Sequence, residues 1–404
     1  MSRSTILWKP VLALGGVQAS ITLTWVIYNL YLPSLLGQFG FGAGAIFWVI
    51  FVEAALAIAM EPLMGSFSDR LQRTLTTQFP FIFAGIVLSS GLFIAIPALV
   101  VAGPTNGLAR ALLPLLMVAW ALAMSCFRSP ALSLLGRYAI QTQWAPAAAV
   151  LTMLGSLASS IGVFTRGYLL SLGPAITFGV GSLVMLSAAS CLRAVSPNQA
   201  VPEWQKKSVS QNNLSLPALA IVFATGVGIA LGFQLALGTF ADVLNTRMPS
   251  SAAGIILAGV FVLQAFAAIP AGRLASNVGI QRAMLAALVV LVAINLCIGI
   301  NLSILWLPDR VFSPVLMVLW GTVASVVATS SVPFALSLVP PQKAGLGTGM
   351  YFSGGAAAVS LLTIVEQAVD WSSIMSLGIG ASAFGVAAAC IQMSKSVKQS
   401  AEAS

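Results

Sequence analysis

The chain has 404 residues, of which 59% are hydrophobic and only 7% charged, with a mean hydropathy of +1.00. A water-soluble domain carries about 25% charged residues to solvate its surface; eighteen basic and nine acidic side chains exclude a water-facing globule and leave lipid as the main solvent. The net charge of +9 does not indicate nucleic acid, because lysines and arginines are scattered singly between apolar runs, and those runs are too continuous for the alternating strands of a membrane barrel.

Arg3 and Lys9 lead straight into a full-length apolar run, so a retained first span is expected rather than a cleaved signal. Apolar runs of about 20 residues predict helices 1 to 6 at Val11–Leu35, Ala43–Met64, Phe79–Val101, Ala111–Leu135, Ala147–Thr165 and Tyr168–Leu192. The longest hydrophilic stretch, Arg193–Ser215, reads as a flexible cytoplasmic connector. Helices 7 to 12 follow at Leu216–Phe240, Ser251–Ile269, Ala283–Leu305, Ser313–Leu338, Thr348–Glu366 and Ser373–Met393. The expected organisation is an all-α polytopic membrane protein: a six-helix bundle over 1–192, a linker over 193–215, a second bundle over 216–393 and a cytoplasmic tail over 394–404.

Basic residues in loops set orientation. With the N-terminus inside, Arg3, Lys9, Arg70, Arg73, Arg137, Arg193, Lys206, Lys207, Arg273, Arg282, Lys343, Lys395 and Lys398 face the cytoplasm, against Arg110, Arg166, Arg247 and Arg310 outside. This predicts an inner (plasma) membrane protein with both termini cytoplasmic. The four cysteines lie far apart inside predicted spans and the chain has no histidine, so they read as buried apolar thiols rather than a disulfide or zinc set. No phosphate-binding loop or nucleophile–histidine set is present. No enzyme activity, cofactor or metal is implied.

The two halves echo each other. Helix 4 ends Pro130-Ala131-Leu132-Ser133-Leu134 and helix 10 ends Pro333-Phe334-Ala335-Leu336-Ser337-Leu338, an offset of about 204 positions. The stretch after helix 2, Gly65-Ser66-Phe67-Ser68-Asp69-Arg70-Leu71-Gln72-Arg73, matches the one after helix 8, Gly272-Arg273-Leu274-Ala275-Ser276-Asn277-Val278-Gly279, at an offset of about 207. Six helices return the chain to the same side, so such halves are parallel, related by an axis along the membrane normal.

The Gly65–Arg73 stretch resembles the signature between helices 2 and 3 of the major facilitator superfamily. Gly65, Asp69, Arg70 and Arg73 match, while Gln72 and Thr74 depart from it. The resemblance covers essentially the whole chain. It implies two parallel six-helix bundles, a secondary transporter working by alternating access, and a central cavity lined by helices 1, 4, 7 and 10. Within the superfamily, Tyr28-Asn29-Leu30-Tyr31-Leu32-Pro33, Glu61-Pro62 and Arg128-Ser129-Pro130-Ala131 are similar to sugar–cation symporters of the glycoside and sucrose type, although helix 1 lacks the acidic residue common there. In physical terms, Gly65 permits close backbone approach at a helix end. Asp69, expected on a tight cytoplasmic loop, can face the positive end of a helix from the other half. Arg70 and Arg73 can pair with Asp69 or with helix C-termini, or serve only as topology charges.

Charges inside spans are costly and face the protein interior or a cavity. Glu53 falls near the midpoint of helix 2. A carboxyl that exchanges between protonated and ionised forms as water access changes is what a proton-coupled carrier needs; a structural carboxyl bonded to a neighbouring helix is the alternative. Glu61 and Arg128, each costly alone, form the natural buried ion pair, structural or gating, with substrate contact as the alternative. Substrate-cavity candidates are Gln18, Tyr28 and Asn29 on helix 1, Trp120 on helix 4, Gln234 on helix 7, Gln264 on helix 8 and Trp320 on helix 10. Amides and aromatics suit a neutral polar solute, although single amides also join helices. The expected partners are the lipid bilayer, a small solute such as a sugar or organic acid, and a proton or another cation, with the protein a monomer. Two other readings stay open: an efflux carrier for hydrophobic compounds, and a non-transporting assembly or pigment-associated factor.

Overall fold

The computed structural model describes residues 6–75, 77–103, 107–196, 214–304, 312–369 and 372–403. Arg3, Arg310, Asp370 and the connector residues 197–213 lie outside the described residues. Among the described residues, twelve helices are long and apolar enough to cross a membrane. In chain order they are α1 (Trp8–Gln38), α2 (Ala43–Leu75), α3 (Phe79–Ala102), α4 (Gly107–Ser133), α5 (Trp144–Phe164) and α6 (Arg166–Val195), then α7 (Leu216–Arg247), α8 (Ser250–Val278), α9 (Ile280–Ile304), α10 (Phe312–Ser337), α11 (Ala344–Ala368) and α12 (Ser373–Ala403). The chain is an integral multi-pass α-helical membrane protein. A bridge of extended backbone, Ile6 with Ala139, ties residue 6 to the α4–α5 connection.

Several helices outrun their apolar segments. α2 continues eleven residues past Met64 to Leu75, α8 nine past Ile269 to Val278, and α12 runs on to Ala403. Hydropathy marks where lipid ends, whereas a helix stops only where its backbone bonds do. Residues 65–75 contain no proline, so the helix carries on into the polar zone. The Gly65–Arg73 motif, expected on a loop, is therefore helical.

The helix pairing repeats between the two halves. Within the first half α1 packs on α5 and α6, α2 on α4, and α3 on α4 and α6. Within the second half α7 packs on α11 and α12, α8 on α10, and α9 on α10 and α12. Each pairing recurs six helices later. The halves meet chiefly through α2 with α11 and α5 with α8, two contacts that exchange under the same shift. Even the connections agree: α4–α5 and α10–α11 each carry a single 3-10 turn, Gln141–Gln143 and Pro341–Lys343.

Buried apolar side chains form one large cluster from α1–α6, joined by Leu336, and another from α7–α12. A Trp sits fully buried in each, Trp120 and Trp320. The outward surfaces carry Leu, Ile, Val and Phe, including Leu88, Leu183, Phe266 and Val289, as a face solvated by acyl chains requires. Cys191 and Cys297 are exposed on that surface rather than buried, and all four cysteines are free thiols.

Candidate transport cavity and its inner seal

α2 and α11 run alongside each other across the interface, and the two ends of their seam differ. At the Asp69 end the backbones nearly touch. A Cβ on Gly65 would overlap the Gly345 carbonyl, and one on Gly349 would lie 2.8 Å from the Pro62 Cα. Only glycine allows that approach. Asp69 closes this end: its Oδ1 accepts from the Gly345 amide and its Oδ2 from the Leu346 amide, both at 2.9 Å. These are free donors of the first turn of α11, where a carboxylate is doubly favoured by hydrogen bonding and by the helix dipole. Arg70 and Arg73 stand exposed beside it, while the carboxylate's bonds go to backbone.

One turn deeper, Pro62 has no N–H to give the Ile58 carbonyl four residues back. Ser353 of α11 supplies the missing donor, its hydroxyl lying 2.5 Å from that oxygen. Thr348 donates to the Ser129 carbonyl of α4 at 3.1 Å.

Glu61 is fully buried just above. Its Oε1 lies 2.5 Å from Arg128 Nη2, and its Oε2 accepts from the Ser129 hydroxyl. The guanidinium stacks over Phe352 of α11, 4.5 Å from the ring centroid, so one side chain bridges α2, α4 and α11. Ser129, adjacent to Arg128, supplies a second bond to Glu61 that the ion pairing alone did not suggest.

Above this layer the helices splay around a cavity of about 880 Å³. Its mouth lies by Ala43 and Gly44 at the start of α2 and by Glu366 and Gln367 at the end of α11. Glu53, Asn29, Ser125, Arg128 and Gln234 supply its polar surface, and Trp25, Phe47, Ile50, Phe352 and Leu362 much of the rest. Glu53 is only 6% exposed. The partner its own helix could not provide comes from α1: the Tyr28 hydroxyl donates to its Oε1. Tyr28 in turn packs against Trp120, ring centroids 4.4 Å apart, and Trp120 against Trp25 and Phe93.

The family model of the Major Facilitator Superfamily matches residues 14–363. The chain belongs to the Major Facilitator Superfamily. Solved superfamily structures superpose along its whole length: the transporter FucP in the outward conformation, with a TM-score of 0.70 at 13% identity over 97% of this chain and 99% of that one; the human organic anion transporter TETRAN, 0.69 at 16% over 95% and 99%; and a bacterial homologue of the iron transporter ferroportin in an outward-facing state, 0.70 at 13% over 96% and 99%. FucP is the E. coli fucose:proton symporter. None of the curated proteins compared matches the chain.

Against the superfamily pattern, the candidate residues divide into three groups. Asn29 and Gln234 line the large cavity, as do Glu53 and Arg128. Gln18 and Gln264 line a smaller one farther in. Trp120 and Trp320 line neither: at 0% and 1% exposure they are core residues, packed on neighbouring aromatics. Tyr28, also 0% exposed, stands behind Glu53 rather than in the cavity. Trp25, Phe352 and Tyr351 were missed, because an aromatic among apolar residues carries no signal of which way it faces.

Proposed function

We propose that this protein is a secondary active carrier working by alternating access, which moves a small organic solute such as a sugar or organic acid and couples it to a proton at Glu53. The observation that carries the reading is Glu53 itself. It is a nearly buried carboxyl on the wall of an 880 Å³ cavity, bonded to Tyr28 and opposite the seam that must open for the solute to leave. Proton exchange there needs water from one side and a hydrogen-bonded refuge on the other, and the cavity and Tyr28 offer both.

The Asp69 end of the molecule also holds Arg70, Arg73, Arg137, Arg273, Arg282 and Lys343, while the cavity mouth end holds Arg110, Arg166 and Arg247. That bias supports a cytoplasmic Asp69 end, both termini inside and an inner-membrane location, with the cavity facing outward. Both bundles and the cavity between them come from one chain, which supports a monomer as the working unit. Release inward requires the bundles to rock, parting Asp69 from α11 and closing α2 on α11 at the outer end.

The test is proton movement into proteoliposomes loaded with a pH dye, against a panel of sugars, organic acids and drugs, with Glu53→Gln alongside. Solute-dependent proton entry should occur with wild type and vanish with Glu53→Gln. Survival of coupling in the variant removes Glu53 from the mechanism, and absence of any flux from folded protein overturns the carrier reading. The apolar stretch of wall formed by Ile46, Phe47, Ile50, Val359 and Leu362 favours one second reading, export of hydrophobic compounds. Dye efflux with no uptake of polar solutes would establish it.

A further inference from the structure

Toward the inner side lies a second cavity of about 250 Å³, walled by α1, α4 and α5 of one bundle and α8, α10 and α11 of the other. Its residue on α1, Gln18, precedes Asn29 of the large cavity by eleven positions, about 16 Å along the helix. Phe352 borders both cavities. With the Arg128 guanidinium stacked on it and Glu61 holding that guanidinium in place, Phe352 forms a partition between an outer vestibule and an inner chamber. Beneath the chamber α5 and α8 are in backbone contact, since a Cβ on Gly272 would lie 2.8 Å from that of Ala149 and 2.9 Å from the Ala145 carbonyl oxygen.

We propose that this inner chamber is the solute's seat and that the solute is neutral, hydroxyl-rich and about the size of a monosaccharide. The proposal rests on the carrier reading and narrows it. Three features of the chamber carry it. First, none of its lining residues is charged. Arg128, stacked on the bordering Phe352, lines the outer cavity and already holds Glu61, so a carboxylate seated here would be desolvated without a counter-charge. Second, the chamber is rich in neutral hydrogen-bonding groups from both bundles: Gln18, Thr22 and Ser156 on one side, Gln264, Ser331 and Tyr351 on the other. Several of their donors are already occupied: the Thr22 hydroxyl donates to the Gln18 backbone carbonyl and the Ser331 hydroxyl to the Val327 carbonyl. The Tyr351 hydroxyl donates to Ser331, and Gln18 Nε2 to Thr22 at 3.4 Å. Gln18 Oε1, by contrast, is a buried acceptor with no partner among the described residues, and such an atom calls for an O–H or N–H donor. Third, the faces of Phe261 and Phe352 give the C–H face of a ring something to lie against. Drug-sized ligands occupy pockets on the order of 300–1,000 Å³, so a chamber of 250 Å³ selects something smaller. Because both bundles supply its polar groups, a bound solute holds them in register, and rocking then exposes the solute inward.

The experiment is equilibrium binding to the full-length protein in nanodiscs, using neutral monosaccharides and alditols as probes beside the matching uronic acids. At least one neutral probe should bind, with its uronic acid about tenfold weaker or more. Gln18→Leu and Gln264→Leu should each weaken binding about tenfold or more, the cost of removing one partner of a buried polar group, while Gln18→Asn should recover part of it. Glu53→Gln should still bind. As a check independent of stability in the Leu variants, Ser156→Cys in a chain cleared of its native cysteines should be labelled slowly from the outside. It should become faster to label when Phe352→Ala opens the partition, and be protected by the bound probe. If uronic acids bind as tightly as neutral sugars, the solute class is wrong. If binding is lost in Gln234→Leu and untouched in Gln18→Leu and Gln264→Leu, the solute sits in the outer vestibule and this proposal falls while the carrier reading stands. If wild type binds and moves nothing, both fall together.

Discussion

The α2–α11 seam is one pair of helices with two opposite characters. From Ile58 to Asp69, α2 meets α11 through glycines, a serine and backbone atoms, and side chains bond to backbone across the gap, Ser353 to the Ile58 carbonyl and the Asp69 carboxylate to the Gly345 and Leu346 amides. From Ala43 to Ala57, the same helix faces α11 across the large cavity, with Phe47 and Ile50 opposite Val359 and Leu362. The lesson is that a closed gate here is a stretch where two backbones can approach, so small residues and a few directed hydrogen bonds decide which end is shut. Bulky side chains keep the other end apart.

The largest effect is expected from breaking the layer between these two zones. Arg128→Ala strands the fully buried Glu61 carboxylate and should cost about 3–5 kcal/mol, read as a drop in thermal midpoint in detergent. Adding Glu61→Gln should restore much of that, because the stranded charge rather than the lost pair is the main penalty. If Arg128→Ala proves as stable as wild type, the pair has no structural role.

Converting the inner zone to the character of the outer one comes next. Gly65→Leu places a side chain where the Gly345 backbone lies and should penalise the closed inner seam by roughly 2–3 kcal/mol, or roughly 30- to 150-fold in population. The cavity mouth should then spend more time shut. A cysteine at Thr363 on the outer wall, in a chain without its native cysteines, would react more slowly with an impermeant thiol reagent. Unchanged labelling would mean that the two ends do not exchange. Asp69→Asn keeps the shape and removes the charge from two buried bonds, so it should act in the same direction by roughly 1–2 kcal/mol. Ser353→Ala should be mildest, about 1 kcal/mol, on the same assay.

The helices were legible because lipid demands apolar runs of a fixed length, and each of the twelve expected spans overlaps one observed helix. Their inner ends were not, since α2 and α8 hold their backbone geometry well past the last apolar residue. Family membership was readable from Gly65, Asp69, Arg70 and Arg73, because a short polar motif between two apolar spans stands out. Glu61 and Arg128 were visible as a pair for the same reason, being the two opposite charges at one depth. Tyr28 as the partner of Glu53 was not, because nothing in helix 1 says that residue 28 turns toward helix 2. Trp120 and Trp320 were misplaced into the cavity because helix 4 lines the large cavity, and helix 10 only the smaller one, on one face, and hydropathy does not mark that face on a span apolar all round. The inner chamber was invisible apart from Gln18 and Gln264, since Thr22, Ser156 and Ser331 are ordinary small residues until the fold gathers them.

Pro62 sets a requirement on where water must go. With the seam closed, the Ile58 oxygen is satisfied by Ser353. Once the bundles part on that side, no amide of its own helix can replace the hydroxyl, and a bare carbonyl in hydrocarbon is costly. Hydration must therefore descend at least as far as Ile58, eleven residues and about 16 Å in from Asp69. Under the proposed rocking of the bundles, a proline in one helix thus fixes the least depth of the water-filled funnel at the Asp69 end, and that depth reaches beyond the Glu61 layer to within about two turns of Glu53.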